Sequence, residues 1–341
     1  MKSGRAGEEE AEASTPWVFA MGERRFRVPS TFQHPGGEHW MERYAGKDIR
    51  HLFEGGHEDG GVEVAHRHSA SARRFLERFE VEQASTSSAA DDEGERPRPR
   101  GRVEVVNGVA IDFDKPLVFQ VGKLEDNYQE WVHRPELGKP RFFESEICEQ
   151  LSKTNWWVVP LVWIPVAAYL SLLSHRRCRE DGGGSEAMMS MCFVFGVFFW
   201  SLVEYSVHRF MFHVMTSTYW WNTFHFLFHG CHHKFPMDDM RLVMPPAGAL
   251  PIVLMVYAVE SAMFGPLLTP VTLAGTLSGY MAYDLLHYHC HFSEFTNKVE
   301  WLRRIRSSHM DHHYRDSTTG FGISSPTWDV LMNTHHKKTR E

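Results

Sequence analysis

Four short stretches decide how this chain folds: HRFMFH at 208–213, HGCHH at 229–233, HYHCH at 287–291 and HMDHH at 309–313. Each falls where a long apolar run gives way to polar sequence. Ten of their histidines keep a regular spacing: His208, His213, His229, His232, His233, His287, His291, His309, His312 and His313. Imidazole is the side chain best suited to iron and zinc at neutral pH, and two ions taking about four to five imidazoles each would use such a set. The count points to a two-metal centre.

Helical spacing sorts these residues. Positions three and four apart share a helix face, so His229, His232 and His233 should converge, as should His309, His312 and His313, and His287 with His291. His208 and His213, five apart, diverge by about 140° on an ideal helix. They are expected either to serve different metals or to span a helix end. Glu204 lies four residues before His208 and Asp284 three before His287, so each carboxylate is placed to accept the spare ring N–H of a ligand. Acids inside apolar segments are costly unless they have such a role. His225 and His289 break the spacing; His225 is an eleventh ligand or a hydrogen-bond partner, and His289 points away. Thiolates oxidise beside an oxygen-activating metal, so Cys231 and Cys290 read as small buried residues.

Roughly 20 apolar residues cross a bilayer core. Four stretches approach that length, at 156–173, 188–207, 242–258 and 262–286, and the first two carry no charge before Glu204. The third begins at Pro245-Pro246 and contains Pro251, and Glu260 stands near the GPLLTP turn at 265–270, so the third and fourth should form a hairpin that need not reach the far leaflet. Trp156, Trp157 and Trp163 fit an interfacial belt. With a cytosolic amino terminus, four crossings place every histidine cluster on the cytosolic side. The three arginines of HRRCREDGGGSEA (175–187) strain the positive-inside tendency, whereas the basic stretch 298–306 favours the assignment.

The mean hydropathy of −0.36 blends a charged amino-terminal third with a strongly apolar remainder, and a formal charge of −7 argues against nucleic acid. Five cysteines without a C-x-x-C pair indicate neither a disulfide framework nor a zinc knuckle. The acidic opening residues lack the apolar core of a secretory signal peptide. Residues 1–15 are expected to be a disordered tail, 16–83 a compact domain and 84–102 a flexible linker, since small, charged and Pro-rich sequence cannot bury enough apolar surface to fold. Residues 103–150 read as a loop-rich connecting segment ending in a helix around FFESEICEQLSK (142–153), and 151–341 as the membrane domain.

The string FQHPGG (32–37), followed by HRHSASARRFLERF (66–79), resembles the cytochrome b5 family. The resemblance implies a small α+β domain with His34 and His68 as axial ligands of haem b. Two opposed histidines leave no open iron position, which suits electron transfer. The insertion LFEGGHEDGGVE (52–63) departs from the family spacing and leaves His57 and His66 as competitors for the second ligand.

Beyond it, DFDKPLVFQVGKLEDNYQEWVHRP (112–135), EYSVHRFMFH (204–213), HGCHHKFPMDDMRLVMPP (229–246), YDLLHYHCH (283–291), HMDHHY (309–314) and GFGISSPTWD (320–329) resemble the fatty acid 2-hydroxylases of the fatty acid hydroxylase superfamily. The fold this implies is mainly α: a four-span integral-membrane histidine-box domain with a cytosolic cap, plus the b5-like domain. The implied activity inserts one atom of O2 at carbon 2 of a fatty acyl chain, free or in ceramide. Two non-haem metal ions, iron in the working enzyme with zinc as another occupant, would be held by the ten histidines. Electrons would come from the haem, supplied by an NAD(P)H-dependent reductase such as a cytochrome b5 reductase. The resemblance also implies residence in the endoplasmic reticulum membrane. Tyr283, Asp284 and Arg241 are candidates for positioning the polar head of the substrate. An acyl-lipid or sterol desaturase or oxidase would use the same histidine chemistry, and a membrane-anchored haem electron carrier would need none of it.

Overall fold

The computed structural model describes residues 16–29, 38–50, 52, 68, 70–77, 79–81, 102–181, 185–293 and 295–336. The chain divides into two compact units, residues 1–90 and 91–341.

In the first unit, strand Trp17–Met21 pairs antiparallel with Arg24–Val28, and Glu80–Val81 adds to the other edge of the latter. Gly22, at φ +68°, makes the tight turn between the first two strands, and its N–H donates to the Asp48 carboxylate at 3.0 Å. Phe19 faces Phe26 across the pair. These two, with Val28, Met41, Tyr44, Ile49 and Leu76, form a small core beneath helices Glu38–Tyr44 and Ala70–Glu77. His68 is half-buried, its Nδ1 3.2 Å from the Leu52 carbonyl. His34 lies outside the described residues, as do His57 and His66.

The second unit is built on three helical runs long and apolar enough to cross a membrane: Val158–Glu180, Glu186–Phe212 and Pro246–Phe292. Their outward faces carry Leu161, Leu172, Met191, Phe198 and Leu254, all exposed. An apolar surface of this extent suits lipid rather than water. The 47-residue third run is not straight. Gly265 takes φ 67° and ψ 178°, a conformation open to glycine, and the chain reverses there. Across the reversal Thr276 Oγ1 donates to Glu260 Oε1 at 2.5 Å, and the Met244 N–H reaches the Asp284 carboxylate at 3.3 Å. The hairpin expected from the sequence is therefore present, with arms 246–264 and 266–292. At about 1.5 Å per residue the shorter arm is roughly 28 Å long, near the thickness of a bilayer core.

Close backbone contact locks the second long helix to the hairpin. A Cβ on Gly275 would lie 2.0 Å from the Phe193 carbonyl oxygen, and one on Gly196 2.1 Å from that of Thr272. Small residues let membrane helices approach in this way. At the end of the bundle bearing the hairpin turn, Ser174 Oγ donates to the Leu267 carbonyl and Arg177 to that of Pro266, at 2.7 and 2.9 Å. One of the three arginines that strained the sequence-based topology thus caps the turn. The histidine clusters gather at the opposite end.

Residues 103–150 are more than a connection. Strands Val103–Val106 and Val109–Asp112 form a hairpin through Asn107-Gly108, both at positive φ. Ile111, Leu117, Trp131 and Phe142 pack with Phe226, Cys231 and Phe235 in one core. Lys234, fully buried, pairs with the buried Glu136 at 2.9 Å and lies 4.3 Å from the Trp131 ring. This segment braces the helix that carries the second histidine cluster. The expected helix within 142–153 is present as Glu146–Leu151, capped by Ser145.

Candidate metal centre

The ten histidines assemble into two groups of five. His208, His213, His229, His233 and His312 form one, and His232, His287, His291, His309 and His313 the other; within each, one ring nitrogen per residue lies within 4.8 Å of the rest. The groups abut, with the rings of His233 and His313 4.4 Å apart.

Local backbone geometry explains the sorting. The second long helix ends in a π-turn, His208–Phe212, in which the His213 N–H bonds to the His208 carbonyl at 3.0 Å. An i→i+5 bond brings residues five apart onto one side, and such turns concentrate at functional sites. His208 and His213 therefore meet, with ring centroids 4.9 Å apart, rather than diverging as they would on an ideal helix. The two triads are divided instead. His229 with His233, and His309 with His313, keep the four-residue spacing and share a group, whereas His232 and His312 cross to the neighbouring one. On a helix, a residue three along lies about 100° from the one four along, so a triad can face two ions.

The ring nitrogens suit a cation. His208 and His312 direct Nδ1 at the carbonyls of Phe321 and Thr319, 2.6 and 2.7 Å away. A carbonyl only accepts, so Nδ1 carries the proton and Nε2 of a neutral ring is a bare lone pair. Those Nε2 atoms face His229 Nε2 at 3.2 Å and His213 Nε2 at 2.9 Å. In the second group His287 meets His232 at 2.8 Å, and His309 meets His291 and His313 at 2.9 and 3.1 Å, again through Nε2. Each such contact can share at most one N–H, so a cluster of facing ring nitrogens leaves lone pairs turned inward that a metal ion would gather. Burial first, and neighbouring rings second, hold His213, His229, His232, His233, His309, His312 and His313 well below the ordinary imidazole pKa. Neutral nitrogen donors of this kind suit iron or zinc.

The carboxylates act elsewhere than the spacing implied. Glu204 does not touch His208; it accepts the N–H groups of Ile323 and Ser324 at 2.6 and 2.8 Å, and the Ser324 hydroxyl. It thereby holds the loop whose Phe321 carbonyl orients His208. Asp329 braces the same loop through the N–H groups of Phe321 and Gly322. Asp284 accepts from Met244 N–H and, at 3.2 Å, from the Tyr280 hydroxyl rather than from His287. Arg241 is engaged by Glu149, Asp238 and the Pro140 carbonyl, which leaves its guanidinium a structural tie rather than a grip on a substrate head. Tyr283 packs against His287 and Trp200. Its hydroxyl has no hydrogen-bond partner among the described residues.

His225 uses both ring nitrogens, one toward the Phe212 carbonyl and one for the Tyr128 hydroxyl at 2.6 Å, so it is a hydrogen-bond partner outside both groups. His289 turns away onto Trp156. Cys231 and Cys290 are buried thiols in neither group. His133, outside the four histidine clusters, also stands here: its ring lies 5.1 Å from that of His233, Nδ1 is 2.9 Å from the Gln129 carbonyl, and Nε2 is buried without a partner among the described residues. In the sequence, its place within DNYQEWVHRP (126–135) is what marks it.

A cavity of about 330 Å³ opens onto both groups, lined by His208 and His229 of one and His232 and His287 of the other. Beyond them its walls are mainly apolar, including Val207, Phe212, Leu242, Ile252 and Val253. Such a chamber admits a hydrocarbon chain to a polar reaction site.

Known proteins resemble this chain over most of its length. A family model described as fatty acid hydroxylase matches residues 193–334. A dihydroceramide fatty acyl 2-hydroxylase, FAH1 of Arabidopsis thaliana, is 40% identical over 232 residues, covering 67% of this chain and 95% of its own. The fatty acid 2-hydroxylase of Homo sapiens is 34% identical over 350 residues, covering 94% and 91%. A solved structure described as full-length scs7p, with only the hydroxylase domain visible, matches with a TM-score of 0.61 at 34% identity, covering 67% of this chain and 86% of that one. This chain belongs to the fatty acid hydroxylase family.

Proposed function

We propose that the protein is a membrane fatty acid 2-hydroxylase acting on a fatty acyl chain, free or in ceramide. The observation that carries this reading is the pair of five-histidine groups flanking one apolar cavity. The names of its relatives supply the position of attack. Balanced, a C–H bond, O2, two electrons and two protons give an alcohol and water. A saturated C–H bond resists acid–base attack, so metal ions held by the ten histidines, iron in the working enzyme and zinc as another occupant, would supply the oxidising chemistry. The chain's own contribution is positioning. Apolar walls would align the acyl tail and exclude water, and we assign Tyr283, whose hydroxyl has no hydrogen-bond partner among the described residues, and the neighbouring Asp284 to positioning the carbonyl end of the substrate.

Residues 16–83 are assigned as a b5-like module holding haem b between His34 and His68, joined by the linker 84–102 and the connecting segment 103–150 to the catalytic domain 151–341. A cytochrome b5 reductase or similar NAD(P)H-dependent partner would feed it. Four crossings, two of them the arms of the hairpin, would set the histidines at the cytosolic face of the endoplasmic reticulum. The local task of Arg177 at the hairpin turn removes part of the objection to that orientation.

The test is lipid mass spectrometry of cells expressing the chain. Acyl groups that gain one oxygen at carbon 2, and lose that gain in His232→Ala, support the assignment. Loss of two hydrogens would select a desaturase, and unchanged lipids would remove the reading.

A further inference from the structure

We infer that Trp200, with Tyr280, forms the floor of the substrate chamber and sets the length of acyl chain the enzyme accepts; this rests on the 2-hydroxylase reading. Three helical faces of the bundle contribute to the chamber, while Phe142, Leu151, Leu227 and Phe228 close other sides. The second long helix gives Trp200, Val207 and His208, the first hairpin arm gives Gly248 and Ile252, and the second arm gives Tyr280 and His287. Histidines occupy one end. Trp200 stands eight residues before His208 on the same helix, or about 12 Å along its axis, and its ring meets that of Tyr280 at 5.1 Å.

Beneath this aromatic pair lies a second void of about 10 Å³, walled by Trp200 and Tyr280 together with Val256, Leu273 and Leu277. Trp200 and Tyr280 line both voids, as do Ile252 and Val253, so the pair supplies the aromatic part of the wall between them. Apart from Thr276, the lower void is lined by apolar and aromatic side chains. The chamber, of about 330 Å³, runs from the histidines to this pair. An acyl chain that reaches the pair would be stopped there, and removing the indole would join the lower void to the chamber.

Gly248 supplies the opposing control. A Cβ there would meet only Met244 Cγ at 3.7 Å and Pro245 Cδ at 4.0 Å, ordinary contacts. Nothing in the backbone demands glycine at this position, so a longer side chain would grow into the chamber without forcing the helix aside. The geometry thus gives substitutions of opposite sign on facing walls.

Cells expressing the full chain, fed an equimolar mixture of saturated fatty acids of several lengths, provide the test, read as the chain-length distribution of 2-hydroxylated products. One methylene in an apolar pocket is worth about tenfold in selectivity. Trp200→Ala should therefore raise the ratio of longer to shorter products by about that factor, and Gly248→Leu should lower it similarly. Distributions matching the native one in both variants, with product still formed, would overturn the floor. Should Trp200→Ala fail to accumulate, Trp200→Leu and Gly248→Leu decide the matter, since shifts of opposite sign are required. A native chain that makes no 2-hydroxy product fails at the functional reading itself and takes the floor with it.

Discussion

Replacing Glu204 with alanine should loosen the metal centre although Glu204 touches none of the ten histidines. Its carboxylate, 3% exposed, is the acceptor for Ile323 N–H, Ser324 N–H and the Ser324 hydroxyl. Those bonds fix the loop from which the Phe321 carbonyl orients His208. Alanine leaves the buried Ile323 N–H without an acceptor, at about 1–3 kcal/mol, and frees the part-buried Ser324 N–H as well, so the loop should shift rather than bear the full cost. Losing a partner that orients a metal-binding histidine typically weakens metal affinity about 10–100-fold. Glutamine is the informative control. Its carbonyl oxygen can keep both N–H bonds, and its amide can donate to the Ser324 hydroxyl oxygen. The assay is elemental analysis of the purified full chain after dialysis against graded chelator, alongside its thermal unfolding midpoint. Glu204→Ala should release metal at about 10–100-fold weaker chelation, and Glu204→Gln should stay close to the native chain. Native metal retention and an unchanged midpoint in Glu204→Ala would refute the proposed chain of contacts.

Two further perturbations probe the supporting structure. Gly275→Val places a side chain 2.0 Å from the Phe193 carbonyl oxygen, where only backbone movement can relieve the clash; overpacking costs about 1–3 kcal/mol or more, so the unfolding midpoint in detergent should fall, and an unchanged midpoint would contradict the close helix contact. Lys234→Met deprives the buried Glu136 of a buried partner. Breaking such a pair costs about 3–5 kcal/mol, and the double variant Lys234→Met with Glu136→Leu should recover part of that loss in the same measurement; equal stability of single and double variants would show that the pair is not coupled.

Much of the site is legible in the sequence because metal-binding histidines must recur at helical spacings and membrane helices must be apolar. The hairpin could be read from Gly265-Pro266 and the prolines around it. What the sequence conceals is any feature that depends on the path of the backbone or on contacts distant along the chain. His208 and His213 look incompatible on an ideal helix, and only the π-turn reconciles them. Glu204 appears to belong to its neighbour four residues on, yet its bonds run to residues 119 and 120 positions away. Arg241 reads as a free cation beside the site, but Glu149 and Asp238 enclose it. Local patterning identifies the chemistry, whereas tertiary contacts allocate the carboxylates and cations around it.

The division of the triads has its own consequence for how the centre forms. The pairs His208–His213 and His287–His291 each belong to one group, but the clusters at 229–233 and 309–313 contribute to both. Neither group can close until both shared helices are seated against the end of the membrane bundle. Each shared helix has its own brace: Lys234 ties one to the 102–136 segment, and Arg306 joins the other to the Ser293 carbonyl just beyond the hairpin. The two sites are thus coupled through rigid, shared supports. Disturbing one triad should affect both ions, whereas loss of His287 or His291 acts first on its own group. Metal bound in one group would therefore favour binding in the other.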